Sequence, residues 1–253
     1  MKYIQIFDLA SHPNFQTVSL NRPDVKNAFH PDMIAELTAY FESLKQNSNL
    51  KAVILRGEGT AFCAGADLNW MKSMVDYSFE ENMLDSKKLW QMFDAVQSCP
   101  VPVIAVAHGA VFGGALGILA CCDYVYAEEK TKFCFSEVKL GLSPAVISDF
   151  ITRKIQDAYV RPLMLSAEVF STSTALRIGL AHKNFSGQIN LDDVAGTFAA
   201  NGVEAMRETK KLLNALTATG VFSERQHLTA KTISERRMSV EGQERLKKFL
   251  TKK

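Results

Sequence analysis

The stretch Val101-Pro102-Val103-Ile104-Ala105-Val106-Ala107-His108-Gly109-Ala110-Val111-Phe112-Gly113-Gly114-Ala115-Leu116-Gly117-Ile118-Leu119-Ala120-Cys121-Cys122 decides the fold. It holds no Asp, Glu, Lys or Arg and is long enough to span a bilayer. Pro102, His108, Gly109, Gly113 and Gly114 interrupt it, and a membrane helix would not carry a polar, glycine-rich bend at mid-depth. The stretch therefore reads as a buried strand over residues 103–106, a glycine-framed turn and a buried helix over Gly114–Cys121. A loop of the same kind lies upstream, Ala61-Phe62-Cys63-Ala64-Gly65-Ala66-Asp67, after a short strand at residues 52–55. Each loop follows an apolar run and opens a helix. The first N–H groups of a helix have no intrahelical partner and carry partial positive charge. Two such loops facing each other can hold an oxygen that gains negative charge, which is an oxyanion hole. Gly and Ala leave the backbone open to close approach.

The rest of the chain fits around this pair. Residues 4–7 and 17–20 read as strands joined through His12-Pro13-Asn14. From Pro31 to about Lys45, Met33, Ile34, Leu37, Tyr40, Phe41 and Leu44 form one helical stripe. Asp67 is placed to cap a helix running to Met74, and residues 81–96 read as another. Strands follow at 123–127 and 133–135, and helices then dominate to the C-terminus. Strands and helices alternating, then helices alone, give an α/β core with a helical C-terminal region.

Composition narrows the function. The chain has 253 residues, 47% hydrophobic and 22% charged, with a formal net charge of +2, so nothing in the overall charge calls for nucleic acid or a membrane. From Arg207 onward there are 12 Lys/Arg against 5 Asp/Glu. That excess reads as a solvated helical face, or as a contribution to binding polyphosphate such as that of coenzyme A. Five cysteines (Cys63, Cys99, Cys121, Cys122 and Cys134) lie in apolar surroundings without metal-ligand spacing. No metal site and no separate cofactor are expected. Reduced thiols and a strand-like start, Met1-Lys2-Tyr3-Ile4-Gln5-Ile6, point to a cytoplasmic protein. Gly57-Glu58-Gly59 fails as a dinucleotide fingerprint because its sixth position is Phe62.

The motifs Phe-Cys-Ala-Gly-Ala-Asp-Leu, Gly-Ala-Val-Phe-Gly-Gly-Ala, Cys122-Asp123 and Phe135-Ser136-Glu137-Val138-Lys139-Leu140-Gly141-Leu142-Ser143-Pro144 resemble the crotonase family of enoyl-CoA hydratases and isomerases. They fall in that family's order and at its spacing. Asn21-Arg22-Pro23 with Asn27-Ala28, and Ala175-Leu176-Arg177-Ile178-Gly179-Leu180-Ala181-His182, fit as well. The likeness covers nearly the whole chain and implies a spiral of ββα units over residues 1–190. Residues 191–253 would then form a helical region that builds a homotrimer or homohexamer, with Leu212, Leu213, Leu216, Val221 and Phe222 as its apolar surface.

The resemblance also assigns roles. The oxyanion donors map to the N–H groups of Ala66 and Gly114, and the adenine contact to the carbonyl of Ala64. Lys26 and Ala28 map to the coenzyme A entrance, and Asp67 and Leu68 to the substrate side of the first loop. One of the two catalytic Glu maps to Glu137. The other maps to Gly117, which neither holds water nor transfers a proton. Glu137 would then hydrate an enoyl thioester alone, or shuttle a proton as an isomerase needs; a non-catalytic relative binding coenzyme A or RNA is the remaining reading. Ala66-Asp67-Leu68-Asn69-Trp70-Met71-Lys72 and Pro144-Ala145-Val146-Ile147-Ser148 resemble the branch acting on 3-methylglutaconyl-CoA, which favours hydration. Gly117 suggests extra room beside the acyl chain for a branch at C3, and any rise in the Glu137 pKa must come from desolvation. Ser148 and Asp149 are candidate polar helpers. His108 and His182 read as structural, and Trp70, Met71 and Met74 read as acyl pocket or core. Residues 184–202 are shorter than in most relatives, and Gln156 stands where a glycine is usual.

Overall fold

The computed structural model describes residues 1–47, 49–218 and 222–251. Strands β1 (Ile4–Leu9), β2 (His12–Leu20), β3 (Ala52–Gly57), β4 (Val103–Ala107), β6 (Tyr124–Glu128) and β9 (Lys183–Phe185) form one sheet in the order β1-β2-β3-β4-β6-β9. Only the β1–β2 pairing is antiparallel; the others are parallel. Strands β5 (Ala110–Phe112), β7 (Lys132–Cys134) and β8 (Phe170–Ser171) form a second, smaller sheet.

Parallel strands covered on both faces read as unbroken apolar runs, and β3 and β4 do so. Val53, Leu55, Val103 and Ala105 enter the main core, while Ile54, Ile104 and Val106 enter a second core on the opposite face. The main core is filled by α1 (Pro31–Ser43), α3 (Phe79–Gln97), α4 (Gly114–Cys121) and α5 (Ala145–Lys154). All six stripe residues expected of α1 are buried. The second core is closed by Val194 and Ala195 of α8 (Leu191–Ala199). Along the chain, α2 (Leu68–Met74) lies between α1 and α3, and α6 (Asp157–Ser166) and α7 (Thr172–Arg177) lie between α5 and α8. Gln156 precedes α6 with φ −62°, a conformation open to any residue, and its side chain makes no capping bond.

The chain ends in α9 (Val203–Ala218), α10 (Phe222–Met238) and α11 (Val240–Thr251). Helix α9 is tied down by the Lys210 ammonium, which donates to the Val101 carbonyl at 3.0 Å and to Asp123 at 2.7 Å. Arg207 donates to the carbonyls of Asn47 and Leu50. Glu241 of α11 accepts from the N–H of Ala205 at 2.9 Å and so caps α9. Part of the C-terminal basic excess is therefore spent inside the fold. Leu213 is exposed, Leu212 and Leu216 are less so, and Val221 and the Phe222 side chain lie outside the described residues.

Three expectations need correction. His12-Pro13-Asn14 is part of β2, and the turn is at residues 10–11. Pro13 sits inside the register shift between the Asp8–Gln16 and Leu9–His12 pairs, so its missing N–H breaks no ladder. The second glycine loop contains a strand, β5, held by pairing with β7. Strands β8 and β9 interrupt the helical C-terminal half; each is too short to show a pattern of its own. The long apolar stretch is β4, a turn, β5 and α4, and no helix among the described residues is long and apolar enough to cross a membrane. All five cysteines are buried free thiols.

Candidate active site

Strands β3 and β4 are parallel neighbours, so the loops that follow them leave the sheet side by side at the carboxyl ends, where open α/β sheets place their ligands. Backbone bonds lock the loops together. The Phe62 N–H donates to His108 O at 2.8 Å, Cys63 N–H to Ala110 O at 3.1 Å, and Phe112 N–H to Cys63 O at 3.1 Å. Gly65, at φ +100°, lies so close that a Cβ there would sit 3.2 Å from the Phe112 carbonyl oxygen.

None of these loop-to-loop bonds uses the N–H of Ala66 or of Gly114. Ala66 is exposed, and its neighbours are both engaged: Phe29 N–H donates to Gly65 O at 2.7 Å, and Asp67 N–H donates to Phe29 O at 2.8 Å. Gly114 is the first residue of α4, where an N–H has no intrahelical partner. The two expected donors thus lie on adjoining loops and remain available.

Glu137 opens a short 3-10 turn, Glu137–Leu140, after β7. A Cβ on Gly113, which has φ +54°, would lie 3.3 Å from Glu137 Oε1. The carboxylate therefore stands beside the start of α4, in space that only glycine leaves free. Its Oε2 is buried and has no hydrogen-bond partner. Burial raises its pKa, a shift only partly offset by its own N–H. Desolvation is the cause the missing second Glu leaves available.

At Gly117 the structure overturns the expectation of room. A Cβ there would lie 2.6 Å from Ile147 Cγ2 and 2.9 Å from Phe93 Cε1 and Cζ. Ile147, Phe93 and Phe150 are buried together. The volume a side chain would need is filled by α3 and α5, so Gly117 makes no cavity for an acyl branch. The contacts come from distant parts of the chain, and no local signal announced them.

Segment 26–29 lines the first loop. Ala64 N–H donates to Lys26 O at 3.0 Å, which brings Lys26, Ala28 and Ala64 together. Lys26 and Asn27 both have positive φ. Buried Asn27 holds that conformation by donating to the carbonyls of Glu58 and Ala61, each at 2.8 Å, and accepting from the Arg22 N–H. Arg22 and Asn27, quoted above only as parts of a motif, are thus the ties of this site. Asp67 is less a substrate contact than expected. Its carboxylate caps α2 through the N–H groups of Asn69 and Trp70 and pairs with Arg22 at 2.7 Å. Burial would raise its pKa, but these partners hold it below the usual carboxylate value. Leu68 is open to solvent.

Other candidates are committed elsewhere. The Ser148 hydroxyl donates to Pro144 O at 2.7 Å, and Asp149 binds Arg153 at 2.7 Å. His108 Nε2 lies 3.0 Å from Gly59 O, and burial lowers its pKa. His182 Nδ1 accepts from Val125 N–H, and burial pushes its pKa down to about 4. Trp70 is core, with Met74 packed against it.

Known proteins share this design. The family model described as enoyl-CoA hydratase/isomerase matches residues 12–252. A provisionally named enoyl-CoA hydratase of Thermus thermophilus is 30% identical over 207 residues, covering 81% of this chain and 82% of its own. A crotonyl-CoA hydratase of Syntrophomonas wolfei is 28% identical over 77% of this chain and 76% of its own. The crystal structure of an enoyl-CoA hydratase from Shewanella pealeana superposes with a TM-score of 0.90 at 35% identity, covering 99% of this chain and 94% of that one. With adjoining loops over a two-faced parallel sheet and an acid at the mouth of α4, the chain has the crotonase fold and belongs to the enoyl-CoA hydratase/isomerase family.

Proposed function

We propose that this protein is an enoyl-CoA hydratase, a hydro-lyase that adds water across the double bond of a 2-enoyl-CoA thioester. The observation that carries the proposal is the buried, unpartnered Oε2 of Glu137, in a carboxyl group that lies against Gly113 at the start of α4. An orphaned carboxylate oxygen costs stability and is retained where chemistry needs it. The thioester oxygen lies between the N–H groups of Ala66 and Gly114. Coenzyme A runs past Lys26 and Ala28, with its adenine on the Ala64 carbonyl and Leu68 at the rim. Glu137 takes a proton from water as the oxygen of that water bonds to C3. The C2–C3 π electrons move onto the thioester as an enolate held by the two N–H groups. Glu137 then returns the proton to C2, so one carboxyl serves as base and acid. Coenzyme A is part of the substrate, and no other cofactor takes part in this scheme.

The finer reading is a branched substrate such as 3-methylglutaconyl-CoA. It rests on residues 66–72 and 144–148 and gains nothing from Gly117. The alternative in the same fold is isomerisation by Glu137 alone, which needs a single base. Ultraviolet turnover separates these. Hydration removes the conjugated absorbance of 2-butenoyl-CoA or 3-methylglutaconyl-CoA, whereas isomerisation of a 3-enoyl-CoA creates it. Loss of absorbance is expected; gain with only the 3-enoyl substrate overturns the proposal. Residues 1–190 would carry the site and 191–253 the assembly of a trimer or hexamer, which a stable monomer in light scattering at micromolar concentration would contradict.

A further inference from the structure

We propose that the Arg22–Asp67 ion pair is a positioning element that aims the N–H of Ala66 at the substrate oxygen, an inference resting on the oxyanion role given to Ala66 above. Ala66 pairs with Phe29 as an isolated parallel bridge. In that pattern Phe29 bonds the residues on either side, Gly65 O and Asp67 N–H, and the N–H of Ala66 itself turns away from it. Where that N–H points is therefore set by what holds Asp67 and Phe29.

Arg22 holds both. Its Nη2 donates to Asp67 Oδ2 at 2.7 Å, and its Nη1 donates to the carbonyl of Ala28, next to Phe29. Its own N–H is fixed by Asn27 Oδ1 at 2.8 Å. The paired side chains are only 16% and 8% exposed, so these are charge-assisted bonds largely out of water, made by a planar fork that a lysine cannot copy. Capping of α2 does not need the pair. Asp67 Oδ1 alone accepts from Asn69 and Trp70, while Oδ2 serves Arg22. The second oxygen is thus the one devoted to tying the segment 26–29 to the first oxyanion loop.

Asp67→Asn keeps a capping oxygen and removes the acceptor for Arg22; Arg22→Lys keeps the charge and loses the fork. Each is made in the full chain and checked for folding by urea unfolding. Three quantities are measured: kcat and KM for 2-butenoyl-CoA, the affinity for free coenzyme A by calorimetry, and the enolate absorbance of bound acetoacetyl-CoA, which reports polarisation of the thioester oxygen directly. A misaimed donor costs less than a deleted one, so kcat should fall about 10-fold or more. The bound enolate fraction should fall with it, while KM and coenzyme A affinity stay within about two-fold. Wild-type kcat in the folded variants, a rise in KM alone, or a fall in kcat with an unchanged enolate signal would each overturn the inference. If the unmodified protein neither hydrates 2-enoyl-CoA nor enolises acetoacetyl-CoA, the proposed function itself fails; if it does both and the variants match it, only this inference fails.

Discussion

Replacing Gly117 with Ala adds one methyl group at a point 2.6 Å from Ile147 Cγ2 and 2.9 Å from two atoms of the Phe93 ring. Neither neighbour is a loose end: Ile147 is 2% exposed and Phe93 is 0% exposed. The Phe93 ring packs on Phe150 with centroids 5.4 Å apart, so it cannot swing aside without moving α5. Overpacking of this kind costs about 1–3 kcal/mol. Helix propensity returns about 1 kcal/mol when Gly becomes Ala, leaving a net loss of up to about 2 kcal/mol. Gly117→Glu should lose more, because the carboxylate would enter the same apolar contact unpaired. It should also give no increase in turnover, since its acid would have to displace Phe93 and Ile147 before it could act. Urea unfolding at fixed protein concentration measures the losses, and Ile147→Ala tests the cause. Alone, that truncation should cost about 2–5 kcal/mol. Beside Gly117→Ala it should cost less by about 1 kcal/mol or more, because each change relieves the other. A Gly117→Ala protein as stable as the parent, with strictly additive costs, would mean that the space is open after all and would restore the argument for a roomier acyl pocket.

Glu137→Gln should lower kcat by about 10²-fold or more with little change in coenzyme A affinity; near-normal turnover removes Glu137 from the mechanism. Because burial raises the Glu137 pKa, activity should fall off on the acid side at a higher pH than the usual 4.5 would give. The same shift means that ionisation opposes folding. The penalty begins as pH rises through the unfolded value and is complete above the folded one, so Glu137→Gln should melt higher than the parent at pH 7 and converge with it in acid. Gly114→Pro removes one N–H at the first position of α4, where helices tolerate proline, and should cost about 3 kcal/mol of transition-state stabilisation. Full activity in that variant would place the thioester oxygen elsewhere. Lys210→Met should cost about 2 kcal/mol in urea unfolding and expose α9 to protease, since the Val101 carbonyl and Asp123 both lose their buried donor. Unchanged protection would show that the C-terminal helices are held by other contacts.

What could be read from the sequence was local, and what could not was not. The stripe from Met33 to Leu44 buries as its period requires, and Asp67 caps α2 as its place before Leu68 implies. The capping box of Ser78 with Glu81 even starts α3 two residues ahead of the expected start. Strand β5 has only three residues, too few for a period, and exists because β7 lies beside it. The same division runs through the site. Two glycine loops and one acid were legible because backbone donors and a carboxylate carry their chemistry wherever they are. The main tie of Asp67 is hidden from local reading because its partner Arg22 lies 45 residues away. The space at Gly117 reads as empty in the sequence, yet Phe93 and Ile147, on two other helices, fill it. A missing side chain in a sequence is a vacancy only if no neighbour has moved in, and in a close-packed interior the neighbours generally have. The absence of a second acid at Gly117 therefore opens no room of its own, and leaves the size of the acyl pocket to residues other than Gly117.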